Sequence, residues 1–298
     1  MAFMKTFNFT PKPFVKWAGG KTQACSQFKD RGLIPIKFGT YFEPFLGGGA
    51  LFLYLRVSKA ILSDNNEELI NAYRVIKSHV FDLIEILKNH KSSHKKEYYY
   101  KIRSLDPQEL TNVDRAARLI YLNKTCYNGL YRVNSKGKFN VPIGRYKNPA
   151  ILEEENLIAI HELLKNPDIK IQVADFEECE KEVERNDFVY FDPPYSPLSE
   201  TANFTAYTKE CFGQQEQIRL ANLFKKLSDR GCFVLLSNSD IEFIRNLYSE
   251  FYIHKKIMVP RFISSNPNGR KAIGELAITN YQPKIEQKTL LEKLSVPK

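Results

Sequence analysis

The chain lacks any pair of cysteines at CxxC spacing; its five, Cys25, Cys126, Cys179, Cys211 and Cys232, are scattered and odd in number. Neither a disulfide framework nor a zinc site follows, no metal is implied, and a reducing cytosol is the expected setting. No apolar run approaches the length of a membrane span, which points to a soluble protein. Met1 to Thr10 is mixed and polar, without the apolar core and small-residue cleavage site of a secretory signal. GxGxxG and GxxxxGKS/T are both missing, so neither a dinucleotide nor a triphosphate is inferred. There is no internal repeat or low-complexity tract, and there is one tryptophan, Trp17.

What is present is a long chain with a basic surplus. At 298 residues and 43% hydrophobic content it can bury a large core, as one large domain or a domain with an insertion. Its 44 Lys and Arg against 34 Asp and Glu give a formal charge of +10, which favours a polyanionic partner but is a weak signal alone.

Apolar runs and turn signals divide the chain. Gly39 to Phe45 reads as a strand, Gly47-Gly48-Gly49 as a turn, Ala50 to Arg56 as a helix and Lys59 to Asp64 as a second strand ending in an acid. That is one nucleotide-binding βαβ unit. Glu67 to Asn166 is tyrosine-rich and basic, with helical periodicity at Glu67–Ser78, Val80–Asn89, Glu97–Ser104 and Val113–Lys124. Asn128-Gly129 and Lys136-Gly137 predict a hairpin or ordered loop near 130–142. The α/β rhythm returns with strands at Ile169–Ala174, Phe188–Phe191 and Cys232–Ser237 and a helix over Gln214–Asp229. The expected architecture is an α/β core of residues 1–66 and 167–298, split by a helical, basic insertion over 67–166.

Asp192-Pro193-Pro194-Tyr195 follows directly on the apolar run Phe188 to Phe191. Two prolines fix φ and remove two donors, so the chain leaves the sheet in a defined direction at the edge where open α/β folds bind ligands. A carboxylate at Asp192, the Pro193 carbonyl and the Tyr195 ring suit a flat heterocycle with an exocyclic amine. Alone, the four residues also fit a simple strand-ending turn. The glycine turn with Asp64 fits a nucleoside, the acid accepting hydrogen bonds from ribose hydroxyls. Lys16-Trp17-Ala18-Gly19-Gly20-Lys21 offers Trp17 as a packing face for a sulfonium or methionine group and Lys21 as a partner for its carboxylate. Asp175-Phe176 either receives the amino group and face of an adenine or is a strand end with a core ring. Lys124, Arg132, Lys136, Lys138, Arg145 and Lys147 interleave with Tyr127, Tyr131, Phe139 and Tyr146, a pattern suited to bases and phosphates or to a solvated basic face. The polar loop 262–271, with Ser264 and Asn266, is either a phosphate donor or a hairpin tip.

Taken in order, these motifs resemble the Dam-type DNA adenine-N6 methyltransferases, the alpha group of the D12 class, on the side of the GATC restriction-modification methylases. The resemblance runs from Phe14 to about Tyr281 and is carried by residues 16–21, 43–49, 63–64, 127–132, 139–149, 192–199, 202–207 and 263–266. It implies a Rossmann-like methyltransferase core with an inserted target-recognition region. It implies S-adenosyl-L-methionine held by Trp17, Lys21, Phe45, Gly47, Asp64, Asp175 and Asp192, and a flipped adenine held by Asp192 and Tyr195. It further implies duplex DNA contacted by Lys16, Tyr127, Asn128, Leu130, Arg132 and Pro142. A cytoplasmic, nucleoid-associated enzyme of a prokaryote or phage, acting as a monomer beside a cognate restriction endonuclease, is the expected setting. Competing readings are an amino-methyltransferase acting on cytosine N4, RNA or a protein glutamine, and a non-catalytic DNA-binding protein on a methyltransferase core. Lys124-Thr125-Cys126 and Val133-Asn134-Ser135 depart from chromosomal Dam enzymes and lie nearer the restriction-linked branch.

Overall fold

The computed structural model describes residues 9–194, 212–259 and 273–284. Seven strands form one sheet: β1 (Tyr41–Glu43), β2 (Ala60–Asp64), β3 (Ile169–Val173), β4 (Phe188–Phe191), β5 (Phe233–Ser239), β6 (Tyr252–Val259) and β7 (Ile273–Thr279). Their spatial order is β3-β2-β1-β4-β5-β7-β6. The first five run parallel, with Tyr41 facing Ala60 on one side and Phe188 on the other. β7 inserts antiparallel between β5 and β6. This is a mixed α/β, Rossmann-like sheet, and the strand order reverses at the crevice between β1 and β4.

The continuous apolar runs are explained by burial on both faces. Along β4, Phe188 and Tyr190 enter one cluster, and Val189 and Phe191 enter the cluster on the opposite face. Asp192 then follows as the first polar side chain at the strand's carboxyl end. β1 is shorter than the sequence predicts because Pro44 cannot donate to a ladder.

The helices are α1 (Thr22–Asp30), α2 (Ala50–Leu55), α3 (Glu67–Ser78), α4 (Val80–Ser92), α5 (Lys96–Ser104), α6 (Asn112–Thr125), α7 (Glu154–Leu164), α8 (Gln214–Asp229) and α9 (Glu242–Leu247). Asn66 caps α3 by accepting the Leu69 N–H, and Thr111 caps α6 by accepting that of Asp114. α6 is buried along nearly its whole length, from Ala116 to Thr125. One continuous cluster runs from the sheet, through Tyr41, Leu62 and Tyr190, into the helices at Leu83, Tyr99 and Tyr121. The basic helical region is thereby fixed to the sheet by shared core packing. None of the described helices is long and apolar enough to cross a membrane.

Candidate active site

A cavity of about 990 Å³ opens beyond the carboxyl ends of β1, β2 and β4, at the crevice where the strand order reverses. Its walls are the Lys16–Gln23 segment, the glycine turn, Asp64, Asp192 with its two prolines, Phe212 and Glu275.

The turn after β1 is held from both sides. Gly47 adopts φ +47°, and its N–H donates to Asp64 Oδ2 at 2.9 Å. The second Asp64 oxygen accepts the Asn66 N–H at 2.9 Å, while Tyr73 donates its hydroxyl hydrogen to the Gly47 carbonyl at 3.1 Å. A Cβ on Gly47 would lie 2.8 Å from Trp17 Cδ1, so the bare backbone is what lets the indole lie against the turn. Asp64 thus shapes the turn as well as lining the cavity. Burial raises its pKa, against the two backbone hydrogen bonds. Each oxygen keeps a lone pair for a ligand.

At the end of β4, the Lys21 ammonium sits 2.7 Å from Asp192 Oδ1 and 2.8 Å from the Gly19 carbonyl, with Glu275 at 3.7 Å. Lys21 keeps only 2% of its surface, whereas the Asp192 side chain keeps 19%. Burial raises the Asp192 pKa and Lys21 lowers it. The sequence reading offered Lys21 to a ligand carboxylate; here it holds the protein's own.

A second acid was missed by sequence reasoning. Glu43, 2% exposed at the end of β1, accepts the Tyr41 hydroxyl at 2.8 Å and the Phe52 N–H at 3.2 Å. Burial, with Asp192 nearby, pushes its carboxyl from the ordinary 4.5 up to about 8. Its position before a proline, at the end of a strand, was the available signal.

Phe45 lines the cavity and stacks on Phe176, with centroids 5.2 Å apart and planes at 23°. Phe212 meets Phe45 edge-on at 5.4 Å. Asp175 and Phe176 stand behind this wall, outside the cavity lining. Asp175 caps a short 3-10 turn by accepting the Glu177 N–H, and it pairs with Arg219 at 3.0 Å. That guanidinium lies 4.9 Å above the Phe176 ring.

The basic loop folds back on itself through antiparallel bridges, Cys126 to Ile143 and Val133 to Phe139. Asn134 accepts the N–H groups of Lys136 and Lys138, both at 3.0 Å, which closes the tip. Tyr99 and Arg103 on α5 donate to the Val141 carbonyl and anchor the loop to the helices. Tyr127, Arg132, Pro142, Arg145 and Lys147 are exposed, and Leu130 packs on the core. Asn128, at φ +55°, and Tyr146 line the cavity, and the Lys16 ammonium lies 4.1 Å over the Tyr146 ring. Loop and cavity therefore share a rim. Tyr195, Ser264 and Asn266 lie outside the described residues.

Residues 17–259 match the D12 class N6 adenine-specific DNA methyltransferases. The chain is 48% identical over 274 residues to the type II methyltransferase M1.LlaDCHI of Lactococcus lactis subsp. cremoris, covering 91% of this chain and 95% of that protein. It is 47% identical to the type II methyltransferase M.MjaIII of Methanocaldococcus jannaschii, over 91% and 99% of the two chains. It is 35% identical to the DNA adenine methylase of Escherichia coli K12, over 91% and 96%.

Proposed function

The chain belongs to the D12 class N6 adenine-specific DNA methyltransferases, and on that premise we propose that it methylates N6 of an adenine turned out of duplex DNA, within GATC, using S-adenosyl-L-methionine. The observation that carries this reading is one cavity holding both Asp192 and the Gly47–Asp64 turn, with the basic loop on its rim.

The residues present fit the cofactor. The glycine turn leaves a backbone cradle, Asp64 retains acceptor capacity for ribose hydroxyls, and Trp17 and Phe45 give apolar walls. Asp175 and Phe176 support that wall from behind through Phe45. When bound, S-adenosyl-L-methionine supplies an electrophilic methyl group.

Adenine N6 is a weak nucleophile because its lone pair is conjugated with the ring. Asp192 and the Pro193 carbonyl accept its two hydrogens and favour a pyramidal nitrogen whose lone pair faces the methyl group. Positioning and a fixed charge do this work, with no covalent intermediate on the protein. Lys21 opposes the burial that disfavours the charged form of Asp192, and by engaging Oδ1 it leaves the second oxygen for the base. Removing the adenine from the stack costs a few kcal/mol, which stacking on Tyr195 offsets in part.

Residues 67–166 form the target-recognition unit in this reading, with Lys16, Tyr127, Asn128, Leu130, Arg132 and Pro142 meeting bases and Arg145 and Tyr146 beside them. The higher identity to two proteins named type II methyltransferases than to a DNA adenine methylase supports a protective methylase paired with a restriction endonuclease. The test is transfer of labelled methyl from S-adenosyl-L-methionine to a duplex with one GATC and to another with GTTC in its place. Label on N6 in the first duplex alone is expected. Label in both removes the GATC assignment, and label in neither removes the reaction.

A further inference from the structure

Asn123 lies in α6, fully buried and outside the cavity lining, yet its carboxamide reaches two functional segments at once. Its oxygen accepts the Lys16 N–H at 2.7 Å. Its nitrogen donates to the Lys16 carbonyl at 2.8 Å and to the Gly129 carbonyl at 3.0 Å. One side chain therefore pins the N-terminal segment that lines the cavity and the loop that follows α6.

The pinned segments also touch directly. Gly129 has φ +66°, and a Cβ there would lie 2.5 Å from Lys16 Cδ, so the lysine stem runs across bare backbone. The Lys16 ammonium covers Tyr146 at the far end of the loop. The neighbouring Trp17 stacks on Tyr131 of the loop at 5.5 Å and 29°, and its indole also lies against Gly47 of the cofactor turn. Lys16 and Trp17 form a strut between the glycine turn and the recognition loop, and Asn123 is its clamp.

We infer that Asn123 is a positioning residue that couples cofactor binding to recognition of the target sequence through the Lys16–Trp17 strut. This rests on the reading of the cavity and loop given above. A group that shifts Trp17 against Gly47 shifts Tyr131 and Lys16 with it, and a loop ordered on its target holds the indole in place. Coupling of this kind is reciprocal: target DNA tightens the cofactor site by the factor by which the cofactor tightens DNA.

The experiment measures S-adenosylhomocysteine affinity alone, with a GATC duplex and with a GTTC duplex. Trp17 serves as the intrinsic fluorophore because it is the only tryptophan. Wild type, Asn123→Asp and Tyr131→Leu are compared after methyl transfer by wild type has been established separately. Asn123→Asp keeps the acceptor for Lys16 N–H and loses both donated bonds. Tyr131→Leu removes the stack at a half-buried site and keeps the test open if Asn123→Asp does not fold.

The expected wild-type result is about tenfold tighter binding with GATC than without DNA. In either folded variant that ratio falls to about twofold or less. A role limited to stability lowers both affinities together and leaves the ratio intact, so an unchanged ratio in a folded variant overturns the inference. A wild type that methylates GATC but shows equal affinity with and without it overturns the coupling alone. A wild type that neither binds S-adenosylhomocysteine nor transfers methyl overturns the reading of the cavity as well.

Discussion

Lys21 Nζ lies 2.7 Å from Asp192 Oδ1, so the carboxylate that ends β4 meets its counter-charge at the residue preceding α1. A buried carboxylate by itself favours the protonated form, which cannot accept two N–H groups from a substrate amine. The ammonium works against that burial effect and engages one oxygen of a carboxylate that lines the cavity. Glu275 lies 3.7 Å from the same ammonium. The turn that ends β4 is therefore completed by the N-terminal segment, far away in sequence.

Lys21→Met is expected to cost about 3 kcal/mol of stability, since it strands a buried carboxylate. It also raises the Asp192 pKa further, because the group that lowers it is gone. The acid limb of kcat/KM therefore moves to higher pH. The double variant with Asp192→Asn recovers part of that stability, since Glu275 has still lost the ammonium beside it, and shows no activity. Thermal melts and a pH–rate profile check both effects; an acid limb that stays in place refutes the role given to Lys21.

Glu43 makes stability depend on pH in a direction that is easy to check. Its carboxyl titrates near 8 in the folded chain and near 4.5 when unfolded. The raised value stabilises the fold fully below pH 4.5, and that contribution declines as pH rises and is gone above about 8. Glu43→Gln keeps an acceptor for Tyr41 and Phe52 and cannot ionise. Relative to the variant, wild type is expected to lose a few kcal/mol between pH 5 and pH 9, as read by urea denaturation. Parallel stability curves for the two proteins refute the raised pKa.

The parallel part of the sheet was legible because its inner strands carry apolar runs that end in a turn or an acid, as at Leu62-Ser63-Asp64 and Phe191-Asp192, and its edge strand β3 alternates apolar and polar residues. The helix Gln214–Asp229 was legible from its apolar face, Leu220, Leu223, Phe224 and Leu227. Motifs located the glycine turn and Asp192, but pairings remained hidden. Nothing local says that Lys21 turns to Asp192, that Arg219 covers Asp175, or that Asn123 grips Lys16 across 107 positions. Such bonds arise when the core brings distant segments together, and buried polar groups take whichever partners arrive. α1 escaped notice because its first turn has no acid and no side-chain cap.

Gly47→Ala tests the cradle. Alanine at φ +47° is strained, and its methyl would meet Trp17 at 2.8 Å. A loss of about 1–3 kcal/mol in stability is expected, with weaker cofactor binding as the indole is displaced. Gly137→Ala at the loop tip also has a positive φ, +71°, but nothing lies within 4 Å of its Cβ position. It bears the backbone strain alone and should leave cofactor affinity unchanged in equilibrium titrations. Equal loss of affinity in the two variants refutes the crowding argument.

Arg132, proposed above to meet a base, is held by Asn140, whose side-chain oxygen accepts the Nε hydrogen at 2.7 Å. Nη2 donates to the Asn140 carbonyl at 3.5 Å as well, so a guanidinium on an exposed loop is steadied along one edge, and a guanine edge with paired acceptors would be met by its remaining donors. Arg132→Ala is expected to reduce discrimination at one base pair of the site by about 1–3 kcal/mol, leaving the other positions selective. Arg132→Lys should not restore it, because a single ammonium lacks the planar fork. Asn140→Ala, which frees the guanidinium to move, should give an intermediate loss. Lys147, exposed nearby, is the contrast. Lys147→Ala should weaken all duplexes alike and lower the slope of log affinity against log salt by about one. Methylation rates on duplexes altered at each position, measured at two salt concentrations, separate the two patterns. A uniform loss for Arg132→Ala would place that residue on the phosphate backbone instead.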